Sequence, residues 1–432
     1  MKPISFLINT SVDMLSHVKL LLTSLSKNLA NSNIHEIIIF VDSDNENITE
    51  YLIDQKINFF DLKVITHKLP SVVGYCRNIN LMVEYAKHDI VSYLQSDMVV
   101  SKNYDSHILE EIEENTILCS ARIEPPLHPE GPEKIVKNFG IEPEEFQWDD
   151  FLDFASSIRE NKVTDFFFVP FSFYKKVWSD IGGFDTLFRR GREDSDLPQR
   201  LLHKGIKIKQ SFNLNVYHFT CVASRGKGWY KNENKTQNRM KLQELALGIE
   251  TRRFIRKWGR FEHGVKNPLN KLDIDLIIKN PEISDPYIKF IYDIEPYFSK
   301  VWLPSKNGNA LKKKLLEICS KENIYANKIM NFDEEQWKNE SKFYNTVDFD
   351  SIYSIGFPTD FNIKIELDLS KKDKIGSFSS TLNYISDMIN NEGLGKYELD
   401  PATIEVKNIV NISKQHINTN NPPFDYSLIN IN

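Results

Sequence analysis

The stretch SYLQSDMVVS at 92–101 places one carboxylate, Asp97, between two short hydrophobic runs. The run HEIIIFVDSDN at 35–45 is similar, since its β-branched residues lead into Asp42 and Asp44. Hydrophobic runs of this length are typical of buried strands, and open α/β sheets bind ligands where their strands end. Carboxylate oxygens there suit a hard divalent cation. The alternative is that these acids are ordinary turn residues, which Asp often is.

A second group of candidates lies in IGGFDTLFRRGREDSDLPQRLLHKG, at 181–205. Glu193, Asp194 and Asp196 begin a predicted helix that follows a Gly-Gly-Phe-Asp turn. Acids in the first turn of a helix are favoured by its dipole, which explains charge there without any chemistry. A carboxylate in a cleft can also serve as a general base. His218 ends the next hydrophobic segment. Its two alternative roles are a metal ligand and a histidine that is hydrogen-bonded to a backbone carbonyl.

The elements that would position these side chains alternate along the first third of the chain. Segments 4–10, 35–45 and 89–97 have strand patterns, and 14–29 has apolar residues at helical spacing. Strands alternating with helices predict a parallel sheet covered on both faces. Further along, the pattern predicts a buried strand and a helix ending at Gly182–Gly183, a helix over 193–205, and two short strands over 206–219.

Composition bounds the class of protein. The 432 residues favour two domains, and 41% hydrophobic with 26% charged residues is typical of a globular protein. A net charge of −6 gives no general attraction to nucleic acid or anionic membrane. The four cysteines lie far apart without a CxxC pair, which suits a reducing compartment. Since neither a signal peptide nor a run of about 20 apolar residues is visible, a cytoplasmic protein is expected.

A shift in composition predicts the domain boundary. All thirteen arginines precede residue 261, and lysine supplies the cations of the remaining chain. We therefore expect a catalytic domain over 1–262 and a smaller mixed α/β accessory domain of unknown role over 263–432. Within the latter, 310–330 has a helical pattern, whereas 361–370 and 402–413 have strand patterns.

Four stretches together resemble the inverting glycosyltransferases of family 2. They are EIIIFVDSDN, GYCRNINLMVEYA, VSYLQSDMVV and the long segment from IGGFD to NVYHF. The resemblance covers about residues 3–221, and its last stretch is the most specific. It implies an α/β GT-A fold, a Rossmann-like domain that binds nucleotide sugars.

The resemblance implies a donor site. Asp42 would contact the base or ribose, Arg77 would lie near the nucleotide, and Thr10 would join them. Asp97 would be the last acid of the family's Asp-x-Asp motif, whose first acid is here Gln95.

The donor's phosphates would have further partners. A divalent cation offsets the charge that grows on a leaving diphosphate, and Asp97 with His218 would hold it. A carboxylate–imidazole pair favours Mn²⁺, with Mg²⁺ as the other choice. The loop SRGKGWYKNENK at 224–235 would close over the diphosphate through Arg225 or Lys227, unless it is an ordinary solvated loop.

The resemblance also implies the reaction. Asp194 would be the general base, with Glu193 beside it orienting the acceptor, and Asp196 would be structural. A hexosyl or pentosyl group would pass from a nucleotide-diphosphate donor, in our reading UDP-linked, to a glycan or other hydroxyl acceptor with inversion. The alternatives are a retaining transferase of the polypeptide-modifying type and a non-catalytic module that binds nucleotide sugars or glycans.

One basic segment suggests a polyanionic acceptor such as nucleic acid. In TRRFIRKWGRF at 251–261, Arg252, Arg256 and Arg260 share one predicted helical face, opposite an aromatic stripe. A packed helix with solvated cations explains the pattern equally directly. The acidic balance of the chain favours that second interpretation.

Overall fold

The structure is a computed structural model. It describes residues 1–11, 14–42, 46–54, 61–67, 74–158, 163–186, 188, 191–220, 222, 248–260, 267–269, 274–277, 288, 291–292, 295–297, 300–319, 329–332, 345–348, 395–399, 402–406 and 426–431. The chain forms two compact units. The first comprises Met1–Ala246 together with Ile417–Asn432, and the second comprises Leu247–His416.

The first unit alternates strands and helices, as its sequence predicts. Its strands are β1 Ile4–Thr10, β2 Glu36–Val41, β3 Asp61–His67, β4 Ile90–Gln95, β5 Met98–Val100, β6 Thr116–Glu124, β7 Lys134–Val136, β8 Val163–Thr164, β9 Phe171–Tyr174, β10 Lys207–His218 and β17 Tyr426–Ile431. Its helices are α1 Leu15–Asn28, α2 Glu46–Asp54, α3 Tyr75–Tyr85, α4 Tyr104–Glu111, α5 Trp148–Ser157, α6 Lys175–Ile181 and α7 Glu193–His203.

These strands form one eleven-stranded sheet. Its main path runs β17-β3-β2-β1-β4-β9-β6-β10-β5, with β7 beside β6 and β8 beside β10. The four strands from β3 to β4 are parallel, which confirms the expected α/β class. The sheet is nevertheless mixed, because β9 pairs antiparallel with both β4 and β6. Parallel neighbours such as β1 and β2 are joined by helical crossovers. The connection from β6 to β9 over 125–170 is long enough for β9 to start at the opposite end of the sheet and run antiparallel to β6.

The central strands are buried on both faces, so they appear in the sequence as continuous hydrophobic runs. In β1, Phe6 packs into the cluster that also contains Leu21 of α1. Its neighbour Leu7 packs into the cluster on the opposite face, with Ile79 of α3. This double covering fixes the register of the strands and therefore the positions of the residues at their carboxyl ends.

Strand β10 differs from the prediction of two short strands. It is one strand over Lys207–His218, with a shift of register against β6 between Ser211 and Asn215. Glu111 of α4 holds this irregularity, because its Oε1 accepts hydrogen bonds from Ser211 Oγ at 2.8 Å and Asn213 Nδ2 at 3.1 Å. The irregularity interrupts the ladder without ending the strand, so β10 continues to His218.

The C-terminal strand belongs to the first sheet. β17 pairs antiparallel with β3, from Tyr426 opposite His67 to Ile431 opposite Leu62. The compact units therefore differ from the predicted domains 1–262 and 263–432 in two places. The second unit begins at Leu247, and the last residues of the chain return to the first unit.

The second unit contains a six-stranded mixed sheet of order β13-β12-β11-β14-β16-β15. Its strands are β11 Ile274–Ile277, β12 Lys300–Pro304, β13 Ile329–Phe332, β14 Asn345–Asp348, β15 Gly395–Leu399 and β16 Ala402–Val406. Helices cover 248–258 and Ser305–Cys319, and the helix predicted over 310–330 overlaps the latter. The strand predicted over 361–370 lies outside the described residues.

The arginine face of helix 248–258 is paired with an acid. Glu295 Oε2 lies 3.1 Å from Arg252 Nη2 and 2.6 Å from Arg256 Nη2, and Arg252 is buried. Trp258 of the same helix is also buried, as the aromatic stripe predicts. The expectation that these two arginines are solvated is therefore wrong, since each is bound to Glu295 within the second unit. A paired arginine is a weaker attractor for a polyanion.

Candidate active site

Asp97 lies in the turn between β4 and β5. The turn reverses the chain, and β5 then pairs antiparallel with the end of β10, with Met98 opposite His218. The Asp97 carbonyl oxygen also accepts a hydrogen bond from the Phe219 amide at 3.0 Å. This backbone pairing brings the two side chains together, so Asp97 Oδ2 and His218 Nε2 are 3.6 Å apart. The lone acid at the end of a buried strand therefore has an imidazole as its partner.

A second acid lies behind the imidazole. His218 Nδ1 is 2.8 Å from Oε1 of Glu124, the last residue of β6. Because an ionised carboxylate only accepts hydrogen bonds, Nδ1 carries the proton and donates it. In the neutral ring, the lone pair then lies on Nε2, which faces Asp97. Glu124 is a residue that the sequence interpretation missed. It had the same signal as Asp97, an acid at the carboxyl end of a hydrophobic strand.

Two cations accompany Glu124. Lys134 Nζ is 3.2 Å from Glu124 Oε2, and Arg122 Nε is 3.4 Å from Oε1. Burial alone would raise the pKa of Glu124, but the hydrogen bond from His218 and the charges of Arg122 and Lys134 outweigh it and lower the pKa to about 2. Glu124 is therefore a carboxylate throughout the neutral range, which keeps it an acceptor for the imidazole.

The Asp97–His218 pair is electrostatically coupled. Burial opposes the charge of Asp97, yet His218, and to a smaller extent His17 of α1, hold the pKa of that carboxyl below its usual value. Burial likewise opposes the charge of His218, yet Asp97 and then Glu124 raise the pKa of the imidazole. Each partner thus favours the charged form of the other.

The pair fits a divalent metal ion. A separation of 3.6 Å is too long for a hydrogen bond. Two ligands of one ion, each about 2.1 Å from it, are about 3–3.5 Å apart at the angles of octahedral or tetrahedral coordination. One oxygen and one imidazole nitrogen are also a donor set for Mn²⁺. Among the described residues no group of three or more His, Cys, Asp or Glu side chains is placed to hold a metal, so within that part of the chain the pair stands without a third such ligand.

The predicted donor-binding residues lie at neighbouring strand ends. Thr10 ends β1 and is buried, and its carbonyl oxygen accepts a hydrogen bond from the Asp42 amide at 2.8 Å. Asp42 Oδ1 is 3.1 Å from His67 Nε2, and Oδ2 accepts a hydrogen bond from the Gly74 amide at 3.1 Å. Asp42 therefore ties the end of β3 to the start of α3. Arg77, which is half-buried, lies in the first turn of that helix.

The two predicted loop cations, Arg225 and Lys227, lie outside the described residues, as does Asp44.

The acids of α7 have three different environments. Asp194 is exposed, and its Oδ1 accepts a hydrogen bond from Ser195 Oγ at 3.2 Å. Glu193 is 8% exposed. Asp196 is fully buried, with Oδ2 2.8 Å from Nε of Arg200, which also donates to the carbonyl oxygens of Ile181 and Gly183. Asp196 thus secures the start of α7 to the end of α6, in agreement with a structural role.

Two tyrosines relate these acids to Asp97. Burial raises the pKa of Tyr75, and the negative charge of Glu193 adds to the rise. Burial also raises the pKa of Tyr93, with further contributions from Cys76, Asp97 and Glu193. The negative charges of Asp97 and Glu193 therefore both favour the neutral phenol of Tyr93. No sequence pattern points to either tyrosine.

No helix of the described residues has the length and apolar character that crossing a membrane requires.

Comparison with known proteins shows a similarity over part of the first unit. Residues 17–179 match the family model described as Glycosyl transferase family 2. The match runs from α1 to α6, so it contains Asp97 and Glu124, whereas Asp194 and His218 lie beyond it. The matched segment contains the α/β part of the sheet from β2 to β9. The chain is therefore similar to glycosyl transferase family 2 over residues 17–179.

Solved structures that match part of this chain include those of two proteins. GalNAc-T7, crystallised with UDP, GalNAc and Mn²⁺, is 16% identical over 50% of this chain and 44% of its own, with a TM-score of 0.38. S. aureus TarS is 16% identical over 50% of this chain and 36% of its own, with a TM-score of 0.37. Its 1–349 fragment with UDP is 14% identical, with a TM-score of 0.37, and 60% of it is covered. The chain thus spans less than two thirds of each. No curated protein matches the sequence.

Proposed function

We propose that this protein is an inverting glycosyltransferase that moves a sugar from a nucleoside-diphosphate donor, UDP-linked, to a hydroxyl acceptor. The observation that carries the proposal is the convergence of Asp97 Oδ2 and His218 Nε2, 3.6 Å apart, at one edge of a sheet that is similar to glycosyl transferase family 2 over residues 17–179. Both atoms are electron-pair donors that face one gap. That arrangement suits a metal-bound diphosphate better than it suits a neutral ligand.

The donor is held by residues at the adjacent strand ends. Asp42, fixed between His67 and Gly74, gives one rigid wall of the nucleotide site, and Thr10 and Arg77 lie next to it. We assign Arg225 and Lys227 to the diphosphate, where cations offset its charge. Asp97 and His218 would hold Mn²⁺ or Mg²⁺. When bound, that ion neutralises the charge that develops on the leaving phosphate oxygen.

The transfer itself is a single displacement. The acceptor oxygen attacks the anomeric carbon while the bond from that carbon to the diphosphate oxygen breaks, and the nucleoside diphosphate leaves with the electron pair. Asp194 takes the acceptor proton as the new bond forms. Its exposure leaves the carboxylate open to an incoming acceptor, and Glu193 beside it orients that hydroxyl. One displacement from the face opposite the leaving group inverts the anomeric configuration.

The test is donor turnover. The full chain is incubated with UDP-sugars and Mn²⁺, with and without simple glycan acceptors, and release of UDP is measured. The proposal expects UDP release that depends on Asp194 and a product of inverted configuration by NMR. A product of retained configuration would instead establish the retaining alternative.

A non-catalytic module that binds nucleotide sugars is the second candidate. The observation that favours it is Gln95, which stands at the end of β4 where the family motif has its first acid. Fewer charges weaken metal binding and with it the assistance to the leaving group. Stabilisation of the protein by UDP-sugars without any hydrolysis or transfer would support this reading.

A further inference from the structure

We infer that Glu124 is a positioning residue for the metal site. It orients the imidazole of His218 so that Nε2 stays directed at the ion that His218 would share with Asp97. This inference rests on the proposed metal-assisted transfer. The inference goes beyond the proposed function, because Glu124 touches neither the donor nor the acceptor in that mechanism. The geometry that carries it is the 2.8 Å contact between His218 Nδ1 and Glu124 Oε1.

An imidazole ring can bind a metal through either nitrogen, and the hydrogen bond that one nitrogen makes decides which is left for the metal. Here Nδ1 must donate, since its partner is a carboxylate. Ligating histidines commonly donate their second N–H to a carboxylate, which fixes the ring and increases its basicity as a ligand. Glu124 occupies that place relative to His218.

The structure holds Glu124 firmly enough to act as an anchor. Its side chain is 2% exposed, it ends β6, and Lys134 Nζ lies 3.2 Å from its other oxygen. β6 and β10 pair in parallel up to Tyr217 opposite Ile123, so the backbones that carry the anchor and the ring are adjacent in the sheet. Because both oxygens of the Glu124 carboxylate and its strand are held in place, the carboxylate determines the orientation of the His218 ring.

Glu111 offers a matched control. It too is a carboxylate bound to β10, through Ser211 and Asn213, and Lys209 Nζ lies 3.2 Å from its Oε2. Its replacement by Gln removes the same charge and disturbs the same strand. Its partners, however, lie at the irregularity of β10 and do not include His218.

The experiment compares the wild-type chain with Glu124→Gln, Glu124→Ala and Glu111→Gln. Mn²⁺ affinity in the presence of UDP is measured by the EPR signal of free Mn²⁺, and UDP affinity without metal is measured by calorimetry. Loss of such an anchor typically weakens metal binding about 10–100-fold. We expect that loss for Glu124→Ala, a smaller one for Glu124→Gln, which keeps an acceptor oxygen for Nδ1–H, and no change for Glu111→Gln. UDP affinity without metal should be unchanged in all four.

A readout that needs no metal follows the ring directly. Nitrogen-15 NMR of His218 in alkaline buffer, where the ring carries one proton, should show that proton on Nδ1 in the wild type and shared between both nitrogens in Glu124→Ala. Should Glu124→Ala fail to fold, Glu124→Met, which fills a similar volume and has no oxygen to accept the Nδ1 proton, gives the same comparison.

The outcomes separate the two proposals. Equal Mn²⁺ affinity in the wild type and the folded Glu124 variants would overturn the positioning role and leave the proposed transferase intact. An equal loss in Glu111→Gln would also overturn it, because the effect would then be general to β10. A wild-type chain that binds UDP but no Mn²⁺ overturns the metal site and the positioning role together, whereas donor binding itself survives.

Discussion

Replacing Asp194 by Asn is the sharpest test of the proposed chemistry. The change keeps the shape of the side chain and removes its capacity to take a proton. Since Asp194 is exposed and bonds only to its neighbour Ser195 among the contacts described, the folded state should lose less than about 1 kcal/mol. Transfer should fall about 10²–10⁴-fold, the usual contribution of a general base. That range corresponds to about 3–5 kcal/mol of transition-state stabilisation.

Asp196 provides the control on the same helix, two residues along. It is fully buried with Nε of Arg200 at 2.8 Å, so Asp196→Asn leaves a buried guanidinium without its counter-charge. Breaking such a pair typically costs about 3–5 kcal/mol of stability. Asp196→Asn should therefore lower the urea midpoint strongly and reduce turnover only in proportion to the protein that remains folded. Asp194→Asn should do the reverse.

The assay measures UDP release and UDP-sugar affinity for both variants, with folding followed by urea titration. Donor affinity should be unchanged in Asp194→Asn, because the interaction that is lost exists mainly in the transition state. If a folded Asp196→Asn lost transfer while Asp194→Asn kept it, the base would be the other acid. If both kept it, neither acid would take the proton.

Three further predictions concern other parts of the first unit. Asp97→Asn should abolish the effect of Mn²⁺ on UDP affinity, and calorimetry that finds the same affinity gain from Mn²⁺ would remove Asp97 from the metal site. Burial opposes the charge of Asp105, but hydrogen bonds from His35 and from the amides of Ala30 and Asn31 hold its pKa below the ordinary 3.8. Asp105 therefore stabilises the fold above about pH 4, and the difference in unfolding free energy between wild type and Asp105→Asn should shrink as pH falls below that value; a constant difference in acid titrations would contradict this. A chain that ends at residue 416 lacks β17 and leaves β3 as an open edge, so it should self-associate with rising concentration in size-exclusion chromatography, whereas a monomer would show that the edge is protected by other means.

The sequence predicted the part of the fold that depends on local patterns. The runs at 4–10 and 35–41 are hydrophobic at every position because both faces of β1 and β2 are buried, and such runs indicate a covered parallel sheet. The sequence did not predict the direction of β9. A strand that follows a connection as long as 125–170 carries no sequence pattern that shows which way it runs in the sheet.

The site was predictable where residues end strands. Asp97 and His218 were chosen from that rule, and the structure places their side chains together. Glu124 obeys the same rule at the end of β6 but was missed, because its function depends on the ring of His218, 94 positions away. The electrostatic effects of the acids on Tyr75 and Tyr93 also come from tertiary packing, for which a single sequence carries no periodic signal.

The two sides of the proposed site are anchored in different ways, and this has consequences for mutation. The metal side of the site is carried by paired strands and the turn between them. Its residues form a buried network of opposite charges: Asp97, His218 and Glu124. Removing one of them therefore leaves a buried partner uncompensated, so losses of metal binding and of stability should appear together. Asp194 is exposed at the start of α7, and the buried ion pair between Asp196 and Arg200 holds that helix in place. Substitution of Asp194 should cost turnover alone, so a variant that loses chemistry but keeps its stability belongs to the acceptor side of the site.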